Sequence, residues 1–218
     1  MHIRPTRLTF MFCLALSLSG CKTMYFGVME KFGFEKRDLL IDRVEDARDG
    51  QEAAKQQFSS ALEEFSKVLG FQGGDLETKY NKLNAELKRC ESRARDVNAR
   101  VDDVEYVAKA LFKEWKAENK QYTNAEYRRS SERQLAAAEV RYEELIAAMH
   151  KAEDRMNPVL NAFRDQVLFL KHNLNSRAIA AIQERLVSVE TDIDVLIREM
   201  EASIAEANIF IEAMMNEG

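Results

Sequence analysis

Apolar residues recur at alternating intervals of three and four along most of the chain, in four tracts. The first reads Leu40, Val44, Ala47, Gln51, Ala54, Phe58, Ala61, Phe65, Val68, with a single polar residue on the seam. The second runs from Leu76 through Leu83, Cys90, Val97 and Val104 to Trp115. The third runs from Leu135 through Tyr142, Met149, Met156 and Phe163 to Leu174. The fourth runs from Ile179 through Leu186, Ile193, Met200, Ile204, Ala207 and Ile211 to Met214. A seam repeating every 3.5 residues predicts α-helices that supercoil left-handedly with knobs-into-holes packing. No segment sustains the period-two alternation of a half-buried strand.

Three breaks divide the tracts. Gly70-Phe71-Gln72-Gly73-Gly74 is a helix stop, and Asp75 is placed to cap the second helix. Lys171 to Ser176 gathers the polar breakers His172, Asn173 and Asn175. Between Asn119 and Ser131 the seam is lost, and Thr123-Asn124-Ala125-Glu126 reads as a capping box. Three turns give helices of about 34, 43, 45 and 40 residues, a length match that favours an up-down-up-down bundle. Two readings stay open at the middle break: a turn, or one continuous rod through tracts two and three that needs a partner chain. Pro158 falls inside the third tract and should kink it. Outward faces carry i,i+4 charge pairs such as Glu63–Lys67, Glu105–Lys109 and Asp194–Arg198. The expected fold is therefore all-α, a long antiparallel four-helix bundle or coiled coil over residues 36–218.

Glycine and proline sharpen this picture. From Asp75 to Glu217 there is no glycine, and the prolines are Pro5 and Pro158. Sheets and mixed folds need turns built on those residues, so their scarcity favours long helices. Charged residues make up 32% of the chain and aromatics 9%, which suits solvated helices around a narrow seam.

The N-terminus follows a different logic. His2, Arg4 and Arg7 precede an apolar run from Leu8 to Ser19, the layout of a secretory signal peptide. The run is too short, and too broken by Thr9, Ser17 and Ser19, for a spanning helix. Leu18-Ser19-Gly20-Cys21 resembles the lipobox of bacterial lipoproteins. That resemblance implies removal of residues 1–20 and lipid attachment at Cys21. Lys22 in second place implies the outer membrane, with the chain facing the periplasm. Residues 21–35 become a juxtamembrane segment, in which Tyr25, Phe26, Met29 and Phe32 either lie in the membrane interface or fold back over the bundle end.

Charge narrows the partners. The full chain carries −5, and losing residues 1–20, with Arg4 and Arg7 but no carboxylate, takes it to −7. An acidic chain repels phosphate backbones, which argues against nucleic acid. With the anchor at the start of helix one, the Asn119–Ser131 turn lies near the lipid, and its Lys116, Lys120, Tyr122, Tyr127, Arg128, Arg129 and Arg133 suit either an anionic leaflet or plain solvation. The other two turns are distal. There Phe71, beside Lys171, His172 and Arg177, is the candidate partner contact.

Catalytic chemistry is poorly represented, so no enzyme, cofactor or metal is expected. Di-iron bundles use Glu-x-x-His, yet Ala147 precedes His150 by three and Phe169 precedes His172 by three. No Cys-x-x-Cys, phosphate-binding glycine loop or nucleophile elbow occurs. Cys90 sits on the second seam and reads as a buried thiol, with an inter-chain disulfide as the sharper alternative. Leu168 and Phe169 widen the third seam and read as extra core.

Phe163 to Asn175, followed by Ala178-Ile179, together with Met24-Tyr25-Phe26-Gly27 after the lipobox, resembles a family of uncharacterised bacterial lipoproteins with predicted coiled coils. The resemblance, a domain-of-unknown-function family, implies no activity and transfers a role to Cys21 alone. The expected function is a lipid-anchored envelope protein of structural or adaptor type, with an envelope protein or a second copy as partner. The alternative is a periplasmic binding module for an apolar or lipid-like ligand, held where Ala47, Ala54, Ala94 and Ala108 narrow the seam.

Overall fold

A computed structural model describes residues 36–70, 75–173 and 176–216. They form four α-helices: α1 (Lys36–Gly70), α2 (Leu76–Asn119), α3 (Ala125–His172) and α4 (Ser176–Asn216). Their lengths of 35, 44, 48 and 41 residues correspond to roughly 50–70 Å. Each helix packs against its neighbours in sequence, and α4 closes the ring against α1. Backbones on the diagonals do not approach, so the arrangement is a closed, square, antiparallel bundle among the described residues.

The seams meet in one continuous core. Every predicted position of the first tract, from Leu40 to Val68, is buried, including Gln51. Across the diagonal, Phe65 of α1 stacks on Phe163 of α3 at 4.4 Å between ring centres, and both are fully buried. Two large rings spanning the bundle at one level leave little void there.

From Ile193 to Met214 the fourth seam keeps its predicted positions except at Ile204. Ile204 is only half-buried, whereas Ser203 and Phe210 are fully enclosed. The inward positions thus run Met200, Ser203, Ala207, Phe210 with Ile211, and Met214. Hydrophobicity alone favours Ile204 over Ser203. The structure selects the step that brings Phe210 inward, because an aromatic ring gains more from burial than Ile204 loses. Gln51 and Ser203 leave their amide and hydroxyl groups without protein partners inside the core.

The middle break is a turn, which eliminates the continuous rod. Helix α2 ends at Asn119, and Gln121 N–H returns to Glu118 O at 2.8 Å. The N-cap of α3 is Asn124 rather than Thr123: its Oδ1 accepts from Glu126 N at 2.8 Å and Tyr127 N at 3.3 Å. Asp75 caps α2 as expected, accepting from Glu77 N and Thr78 N. Both carboxylate and amide sit where the helix dipole favours an oxygen. Pro158 lies within α3 on its exposed face, and the helix continues through it.

Candidate functional site

The two ends of the bundle are built differently. At the first end, Lys36 Nζ meets Glu114 at 2.7 Å and the Arg37 guanidinium donates to the Met214 carbonyl. Those contacts mark the level where α1 begins and α4 finishes. Helix α2 continues to Asn119 and α3 starts only at Ala125, so among the described residues their hairpin overhangs the other two helices by about one and a half turns. Trp115 closes its base, donating from Nε1 to Ser131 Oγ at 2.8 Å. Beyond that bond most side chains are exposed, among them Tyr122 and Tyr127.

A shallow groove of about 640 Å³ runs up α2 from the four-helix region into the overhang. Phe112 and Ala117 form its apolar floor, with Lys109, Lys113, Lys116 and Lys120 around it and Glu139 opposite. Helical spacing of three and four puts the lysines on one stripe. Lys116 pairs with Glu139 at 2.5 Å. Phe112 meets Tyr142 edge to face at 5.4 Å, and burial with the nearby Glu105 and Glu143 carboxylates pushes the Tyr142 phenol up to about 12.

The second end is more apolar. Leu168 and Phe169 are 46% and 43% exposed, which corrects their reading as extra core. They occupy α3 positions facing away from the closed seam, while Gln166, Val167 and Leu170 turn inward. Lys171 and His172 are exposed in the last turn of α3, beside them. The structure therefore brings two of the four candidate contact residues together with an apolar pair that sequence reasoning places inside. Phe71 and the side chain of Arg177 lie outside the described residues, although Arg177 belongs to the first turn of α4. Cys21 and the cleavage residues Leu18, Ser19 and Gly20 also lie outside them.

Titratable chemistry in the interior is sparse. Cys90 is fully buried, and burial pushes its thiol up to about 12. Its enclosure argues against the inter-chain disulfide reading, since a sulfur inside the core does not meet a second chain. Sequence reasoning missed one polar cluster. His150 of α3 bonds Glu105 of α2 through Nε2 and Glu153 through Nδ1, both at 2.7 Å. Burial pulls the imidazole down, but the two carboxylates outweigh it and raise it above its ordinary value. Burial raises Glu153 as well, against the opposing pull of His150. Glu105 does not use Lys109, the partner expected from i,i+4 spacing, because the imidazole across the helix interface is closer to hand. The arrangement clasps α2 to α3. Among the described residues no group of three or more His, Cys, Asp or Glu side chains could hold a metal ion.

The alanines that might have opened a ligand cavity are packed instead. Ala47, Ala54 and Ala108 are fully enclosed and Ala94 nearly so. The second concavity, of about 500 Å³, is an open polar groove between α1 and α4 around Ser59, Ser60 and Ile197. No described helix is long and apolar enough to cross a membrane.

The family model described as "Protein of unknown function (DUF2959)" matches residues 25–214, and the chain belongs to that family. No curated protein matches it.

Proposed function

We propose that this member of the DUF2959 family is a lipid-anchored envelope protein that acts as a rigid spacer or adaptor, without catalytic activity. One observation carries the reading: the four-helix core is closed along its length, and two adjacent exposed apolar residues, Leu168 and Phe169, sit at the end opposite the start of α1. A closed bundle of this length holds its two ends roughly 50 Å apart. Attachment through Cys21 would tether the α1 end to a membrane through residues 21–35. The outer membrane, on its periplasmic face, is the proposed address. Leu168, Phe169, Lys171 and His172 would then project away from the lipid, toward an envelope protein or a second copy of the chain.

Two experiments test the parts separately. Mass spectrometry of the mature N-terminus checks acylation at Cys21, and an unmodified chain beginning elsewhere would sink the anchor. Photo-crosslinking in cells from position 169, repeated in a Cys21→Ser background, checks the adaptor. A defined envelope protein, or the protein itself, captured from the anchored form alone supports the reading. Equal capture from both forms would sink it.

A further inference from the structure

We propose that the overhanging α2–α3 hairpin is a docking surface for anionic lipid headgroups. The inference rests on the orientation proposed above, in which this end faces the membrane. Its own support is the charge and shape of the hairpin. The whole chain carries −5, yet between Lys109 and Arg141 eight basic and five acidic side chains leave +3. The remainder of the molecule is correspondingly more acidic, so the positive charge is concentrated on the α2–α3 hairpin and the four-helix level just beneath it.

Several of these cations are uncommitted. Among the described residues, Lys109, Lys113, Lys120, Arg129 and Arg133 form no ion pair within 4.0 Å, whereas Lys116 is held by Glu139. A cation without a protein carboxylate is free to meet a phosphate. The groove beneath the lysines has an apolar floor of Phe112 and Ala117. Tyr122 and Tyr127 are exposed at the tip, 43% and 65%. Tyrosines with one apolar and one wet end suit the headgroup level of a bilayer, and juxtamembrane lysines and arginines gain from its anionic surface. A nucleic acid would meet the same cations, but the acidic body of the bundle would repel an extended polyanion. A membrane touches the tip alone, so it fits the confined charge better.

The test uses the full chain carrying Cys21→Ser, so that no acyl chain contributes. Sedimentation with phosphatidylethanolamine vesicles containing phosphatidylglycerol is compared with vesicles of phosphatidylcholine alone. Binding is expected to the anionic vesicles only, and to weaken with salt. Reversal on the hairpin and at its base, Lys113→Glu with Lys120→Glu and Arg129→Glu, should lower partitioning by at least about a hundredfold, at roughly fivefold for each of the three basic charges lost. The charge-preserving set, Lys113→Arg with Lys120→Arg and Arg129→Lys, should bind as the parent does. Reversal at the opposite end, Lys82→Glu with Lys171→Glu and Arg185→Glu, changes net charge equally and should leave most binding intact. Helical circular dichroism confirms that each variant folds. Equal losses from both reversals would mean that net charge alone drives binding, and would overturn the proposal. So would binding that survives tip reversal but disappears when residues 24–34 are deleted. Acylation of Cys21 is scored independently by mass spectrometry, so the anchor and the headgroup surface can fail separately.

Discussion

Between the level of Lys36 and the last turn of α3, four helices enclose Phe65, Phe163, Met149, Leu196 and their neighbours almost completely. In the overhang, two helices enclose Asn119 above the Trp115–Ser131 bond, and most of their other side chains face water. The same heptad logic governs both regions, but a seam is buried only when enough helices surround it. Four seams close on one another; two leave most of their side chains open to water. Stability therefore belongs to the four-helix region, and the overhang is available for contact.

The difference can be broken most severely at its buried rings. Phe163→Ala should cost about 3–5 kcal/mol, because it removes the ring stacked on Phe65 and leaves a cavity in a closed core. Urea unfolding measures it; a loss below about 1 kcal/mol would show that the core is looser than its burial implies. Gln51→Leu should act in the opposite direction. Its amide is fully enclosed and unpartnered, so an apolar side chain of similar size should stabilise by about 1–3 kcal/mol. No gain in the unfolding midpoint would mean that the amide finds a bound water or the Ser203 hydroxyl.

At the turn that creates the overhang, Asn124→Ala removes two hydrogen bonds to the first turn of α3 and should cost about 1 kcal/mol. Hydrogen exchange should place that loss near residues 125–128 and leave the core protected.

The clasp between α2 and α3 gives a smaller, pH-dependent effect. His150 is raised in the folded state, so its contribution is full below its ordinary value near 6.5 and is lost as pH climbs through the folded value. Glu153 is also raised, which gives the same sign at lower pH. The melting temperature should fall between about pH 6 and pH 8. His150→Ala should flatten that slope, and an unchanged slope would assign it to other groups. Tyr127→Ala, at the exposed tip, should change stability by less than about 0.5 kcal/mol. A larger loss would mean that the tip is packed against something.

The sequence by itself determined the helices and most of the core. Spacings of three and four, with no glycine between Asp75 and Glu217, left no other regular structure for these residues, and the first seam is buried position by position. It also placed Asp75 as a cap, because a carboxylate before an apolar run has few better uses. Tertiary structure decided the rest. Ser203 rather than Ile204 faces inward because the ring of Phe210 must be accommodated about two turns further on, a cost no local pattern records. Leu168 and Phe169 are exposed because the bundle is square and its third helix has no fifth neighbour to bury them. His150 meets Glu105 across forty-five residues, a pairing set by how α2 and α3 align. Periodicity fixes which face of a helix is apolar; how many helices meet that face, and at what level each one stops, depends on contacts that only the assembled bundle supplies.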